Sequence, residues 1–225
     1  RLLRSPEYAD FNRIPILVVS ATFAGEEVSR ITADLGANAF LASPVDGQRF
    51  IETAKSLLAG ESTQNQLKIL IVEDSRTQAA LLKKVFAQQG YQVKIAATLT
   101  SALSECKKES FNIAVIDYHL PDGNGDALLT RFKMTQPDAV CIMMTTDPDP
   151  DLAVSWMRLG AAAYLQKPFD PEYLLELCSR TRRERSLLRI EDLVEKRTQE
   201  LRESEEKYRG VFAAENDAIF LIDKE

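Results

Sequence analysis

Apolar runs four or five residues long alternate along this chain with longer stretches of helical period. Lys68-Ile69-Leu70-Ile71-Val72, Ile113-Ala114-Val115-Ile116 and Cys141-Ile142-Met143-Met144 are unbroken enough to be strands covered on both faces. The pattern predicts strands at 68–72, 91–96, 112–116, 140–144 and 162–165, with helices at 76–88, 99–107, 125–134, 150–159 and 171–183. Ser75 is a natural N-cap for the first of these helices, whose Ala79, Leu82, Val85 and Phe86 form one apolar stripe, and Gly90 suits its end. Strand–helix alternation implies a parallel sheet whose strand C-termini share one edge.

Part of the pattern occurs twice. Ile14-Pro15-Ile16-Leu17-Val18-Val19-Ser20-Ala21 parallels Ala139-Val140-Cys141-Ile142-Met143-Met144-Thr145-Thr146, and Gly36-Ala37-Asn38-Ala39-Phe40-Leu41-Ala42-Ser43-Pro44 parallels Gly160-Ala161-Ala162-Ala163-Tyr164-Leu165-Gln166-Lys167-Pro168. The offset is one domain length, so the reading is two α/β domains in tandem, the first represented by its C-terminal half over 1–60. A polar linker at 61–66 separates it from the second domain at 67–183. From 184 to 208 the chain is highly charged, lacks Gly and Pro, and places Leu187, Val194, Leu201 and Tyr208 seven residues apart. That spacing predicts a connector helix that pairs with a second copy as a coiled coil; a solvated helix packed on its own domain is the alternative.

Bulk properties narrow the picture. With 45% hydrophobic and 28% charged residues the composition is that of an ordinary globular protein. A net charge of −6 argues against nucleic-acid binding. The dense basic stretch from Arg180 to Arg185 is soon diluted by acids. No run approaches the ~18 apolar residues of a membrane span, no signal peptide is visible, and the three cysteines show neither zinc nor disulfide spacing. A reducing, cytoplasmic setting is expected. The chain begins with Arg and stops just after an apolar run, which reads as a fragment of a longer protein.

The strand ends carry the chemistry. Glu73-Asp74, Asp117, Thr145 and Lys167 each close an apolar run and would meet at one cleft. Three carboxylates offer hard oxygen ligands suited to Mg²⁺, or a nucleophile that forms an aspartyl-phosphate. An ammonium and a hydroxyl answer the charge on transferring phosphoryl oxygens.

The ordered set of Glu73-Asp74, the loop Asp117-Tyr118-His119-Leu120-Pro121-Asp122-Gly123-Asn124-Gly125, Thr145 and Tyr164-Leu165-Gln166-Lys167-Pro168-Phe169 resembles the receiver domain of two-component response regulators. The resemblance implies a flavodoxin-like, doubly wound, five-stranded sheet. It makes Asp117 the phosphoacceptor, with Glu73, Asp74, Asp117 and the backbone carbonyl of His119 around Mg²⁺. It gives Thr145 and Lys167 to the phosphoryl group, and couples Thr145 and Tyr164 to the face of the fourth helix, fifth strand and fifth helix of the domain. The phosphoryl donor would be a histidine kinase or phosphotransfer protein. Thr146 stands where the family mostly has Ala or Gly, and its bulk would slow hydrolysis.

In the first copy Ser20 keeps the hydroxyl, but Ser43 replaces the lysine and Phe40 the tyrosine, which implies a degenerate receiver. Residues 209–225, with Val211-Phe212 and Ala218-Ile219-Phe220-Leu221-Ile222-Asp223, resemble the start of a PAS domain. A histidine kinase or cyclic-dinucleotide enzyme would then lie further on. Two rival functions are a phosphate-independent dimerisation or scaffold module, and a phosphohydrolase with an aspartyl nucleophile. The second usually needs another acid two residues after the nucleophile, where this chain has His119.

Overall fold

The structure, a computed structural model, describes residues 14–60 and 67–214, with side chains described to 210. The expected linker at 61–66 and the expected PAS strand at 218–223 lie outside the described residues.

The larger unit has five parallel strands: β3 (Lys68–Val72), β4 (Gln92–Ala96), β5 (Ile113–Asp117), β8 (Val140–Thr145) and β9 (Ala163–Gln166). Their spatial order is β4-β3-β5-β8-β9, the doubly wound arrangement, with the winding direction reversing between β3 and β5. Alternation along each strand sorts side chains to two faces. Leu70, Val72, Ala114, Ile116, Cys141 and Met143 pack with α4 (Leu99–Lys108), α5 (Gly125–Thr135) and Trp156 of α6 (Pro150–Arg158). Ile69, Ile71, Ile113, Val115, Ile142 and Met144 pack with α3 (Arg76–Gln88) and the first turns of α7 (Pro171–Ala214). Covering both faces accounts for the unbroken apolar runs.

Local signals set the helix ends. Ser75 accepts the Gln78 N–H, Thr98 and Ser101 form a reciprocal capping box, and Asp149 caps α6 with Pro150 in its first turn. Gly90 follows α3 at φ 82°. The cysteines are free thiols, with Cys141 and Cys178 buried. Burial pushes the Cys178 thiol up to about 12 and the Cys141 thiol to about 11.

A smaller unit precedes this sheet. It consists of β1 (Leu17–Ser20), α1 (Glu26–Asp34), β2 (Ala39–Ala42) and α2 (Gly47–Leu58), with β1 and β2 parallel. Its geometry parallels β8-α6-β9. Ser43 N–H donates to Ser20 O at 2.7 Å, as Lys167 N–H does to Thr145 O at 2.7 Å. Gly36 and Gly160 have φ 98° and 95°, and the Ser43–Pro44 and Lys167–Pro168 peptides are both cis.

The fifth receiver helix and the connector are a single 44-residue helix, and it runs on through Gly210. A lone glycine costs a helix only ~1 kcal/mol, and nothing between 184 and 209 breaks it. Along it Leu187 and Ile190 are half-buried, whereas Val194, Leu201 and Tyr208 are exposed. Among the described residues no helix is long and apolar enough to cross a membrane.

Candidate functional site

The reversal of winding between β3 and β5 leaves a crevice at the C-terminal edge of the sheet. β3 delivers Glu73 and Asp74 there, and β5 ends on Asp117. One oxygen from each of the three carboxylates lies within 4.8 Å of the other two. Glu73 and Asp117 are buried, while Asp74 is exposed at the mouth. Lys167, placed by β9 on the far side, donates to Glu73 Oε2 at 2.7 Å and to Asp117 Oδ2 at 2.6 Å.

The electrostatics follow from this packing. Burial pushes the Glu73 carboxyl above its usual range, and the Lys167 hydrogen bond offsets that only in part. Burial alone would lower the Lys167 ammonium. Its hydrogen bonds to Asp117 and Glu73 prevail and hold it above its ordinary value. Three acids against one lysine leave a formal charge of about −2 if all three ionise, in a crevice open at Asp74. A divalent cation that keeps several waters fits that donor set, so Mg²⁺ would be held by Glu73, Asp74 and Asp117.

The remaining predicted residues are placed as follows. Thr145 is buried at the end of β8, and its hydroxyl accepts the Asp147 N–H at 2.9 Å, so it closes the turn into α6. Thr146 is exposed beside it. Tyr164 is turned outward on β9, 49% exposed, beside Pro150, Ala153, Val154 and Met157 of α6. His119 is exposed, and its N–H donates to Asp117 Oδ1 at 3.4 Å.

The chain has known relatives. Residues 69–179 match the family model described as the response regulator receiver domain. Sporulation initiation phosphotransferase F of Bacillus subtilis is 35% identical over 103 residues, a match covering 46% of this chain and 83% of that protein. The chain belongs to the response regulator receiver family.

The response regulator FleR of Pseudomonas aeruginosa is 33% identical over 113 residues, half of this chain, but the match spans only 24% of FleR. Among solved structures, a CheY-like receiver domain protein from Methanospirillum hungatei is 34% identical with a TM-score of 0.52, covering 54% of this chain and 97% of that one. Receiver domains bind Mg²⁺ at an acidic pocket, and here Glu73, Asp74 and Asp117 form an acidic cluster.

Several receiver-site features are invisible in the pattern of residues. His119–Leu120 and Gly123–Asn124 pair as a small antiparallel hairpin, β6 and β7, too short to carry a periodic signal. Asp122 belongs to neither a second metal cluster nor a purely solvated loop. It accepts from the N–H groups of Leu99 and Thr100 and so caps α4 from across the loop. These bonds, that to Thr100 above all, hold its carboxyl below the usual range. Tyr118 is half-buried, with its ring 5.1 Å from that of Trp156.

Gly125 is required by space. A Cβ there would sit 2.4 Å from the carbonyl oxygen of Asp117 and 2.8 Å from Ile116 Cγ2. Both neighbours belong to the central strand and cannot retreat. Gly125→Ala is expected to cost ~1–3 kcal/mol, read as a lower urea midpoint, and to slow phosphorylation by displacing the acceptor's own peptide.

Proposed function

We propose that this receiver accepts a phosphoryl group on Asp117 from the phosphohistidine of a histidine kinase or phosphotransfer protein. The observation that carries this reading is the double grip of Lys167 on Glu73 and Asp117, with Asp74 beside them. An Asp117 carboxylate oxygen attacks phosphorus as the P–N bond to the donor imidazole breaks, and that nitrogen keeps the bonding pair. Lys167 and the Thr145 hydroxyl balance charge on the phosphoryl oxygens. Mg²⁺, held by Glu73, Asp74, Asp117 and the His119 carbonyl, would neutralise charge shared between acceptor and phosphate. Thr145, drawn toward the phosphate, would leave its turn and let Tyr164 move inward, changing the face that α6 and β9 present.

Thr146 flanks the route of a hydrolysing water. Thr146→Ala is expected to lose phosphate faster than the parent, followed by intact mass over time; an equal or slower loss would remove the residue from this role.

The smaller unit is a degenerate receiver half. Its support is the shared turn geometry around Ser20–Ser43 and Thr145–Lys167, and its serine cannot supply the lysine's charge. The exposed Val194, Leu201 and Tyr208 support pairing of residues 184–208 with a second copy as a coiled coil. That coiled coil would lead into a PAS domain from 209 and an output module such as a histidine kinase or diguanylate cyclase.

Incubation with Mg²⁺ and a small phosphodonor, followed by intact mass and peptide mapping, tests the central claim. One phosphate, on Asp117 and released by hydroxylamine, is the expected result. A label elsewhere, or none with metal and donor present, defeats it.

A further inference from the structure

At the opposite edge of the sheet, where β8 begins, charged side chains from the smaller unit and the receiver interlock. α1 carries Arg30 and Asp34 four residues apart, hence on one helix face. Asp34 accepts from Arg182 and, at 2.8 Å, from the Ser186 hydroxyl; Arg30 donates to Asp138 at 2.5 Å. Asp138 also receives Arg189, and Arg185 donates to the carbonyls of Pro137 and Ala139. Arg182, Arg185, Ser186 and Arg189 stand at i, i+3, i+4 and i+7, a single face of α7. Arg182 and Ser186 are buried, and Ile31, next to Arg30 in α1, is 1% exposed.

Two properties make this more than incidental packing. The charges are ordered, plus then minus along α1 against Asp138 and Arg182 on the receiver, so docking α1 the other way round would set like charges together. The seam also uses residues beyond the family match. The family match ends at 179, and every α7 group in the seam lies beyond it. Past that point α7 is a charged helix whose receiver partners are Tyr91, Asp138 and the Pro137 and Ala139 carbonyls, and α1 adds Asp34 on the same face.

We propose that the smaller unit is a docked brace on α7: its Arg30–Asp34 face holds residues 182–189 helical and fixed where the helix leaves the receiver, so that unseating the unit releases the helix. This regulatory contact does not depend on phosphorylation of Asp117, which lies at the other end of the strands.

Hydrogen exchange on the whole chain tests it. Asp34→Arg is expected to speed amide exchange at least tenfold across 182–194 and in α1, and Arg182→Asp to do the same. The double variant, which restores the opposite charges, should return both segments toward the parent rate. Unchanged exchange over 182–194 in Asp34→Arg would overturn the proposal. So would a double variant as fast as either single one, since burial rather than charge order would then hold the seam. Should Asp34→Arg not fold, Arg30→Ala removes one pair and leaves Asp34 in place. It is expected to give a smaller acceleration of the same segments, and no acceleration overturns the proposal.

Discussion

Asp117→Asn protein is expected to take up no phosphate under conditions in which the parent takes up one. The amide keeps the size and one oxygen of the carboxylate but is too weak a nucleophile to displace a phosphorylated imidazole. The fold should survive, because Lys167 keeps its 2.7 Å bond to Glu73 and the β5 backbone pairing does not involve the side chain. Mg²⁺ affinity should fall as well, since one of three clustered carboxylates is gone. Intact mass reads the first effect and Mg²⁺ titration the second. Undiminished phosphate uptake by a folded variant would place the acceptor elsewhere, and Asp74, exposed and within reach of the same crevice, would then be the residue to examine.

The receiver sheet was legible because its strands are buried on both faces. A run such as Ile69-Leu70-Ile71-Val72 needs no partner in view to be recognised as a central strand, and no observed strand end of this sheet differs from expectation by more than one residue. The site was legible for a related reason. Glu73, Asp117, Thr145 and Lys167 end strands of one parallel sheet, so topology alone brings them to one edge. What could not be read was set by distance in sequence or by space. Asp34 and Arg182 meet across 148 positions, and the partners of Arg185, the Pro137 and Ala139 carbonyls, lie in the α5–β8 loop, so the basic stretch from Arg180 to Arg185 gave no local sign of what it holds. Gly125 is glycine because of an atom on a neighbouring strand, which no local pattern encodes. The Thr145 hydroxyl closes its own turn by accepting from Asp147 N–H, a rotamer that no sequence pattern encodes.

Lys167→Met separates the two duties of the lysine. The side chains of Lys167, Glu73 and Asp117 are 11%, 1% and 8% exposed, so the interaction belongs to the buried regime. Among the described residues no other cation pairs with these two acids. Removing it without metal should destabilise the protein by ~3–5 kcal/mol, as two buried carboxylates lose their counter-charge. Saturating Mg²⁺ should recover much of that loss, so metal should raise the melting temperature more in the variant than in the parent. The pH dependence has a definite sign. Glu73 already sits above its ordinary value, and without the lysine it should rise further. A carboxyl raised in the folded state costs stability above its folded pKa, and the cost fades as pH falls toward the unfolded value. The variant's deficit should therefore shrink on acidification toward the ordinary carboxylate range. Phosphorylation should slow about 10²–10³-fold even with metal bound, the usual effect of removing one pre-organised charge donor. A variant with the parent's metal response and rate would show that the lysine neither offsets Glu73 and Asp117 nor steadies the phosphoryl group. Its 2.6 Å contact with Asp117 would then be packing without consequence for chemistry.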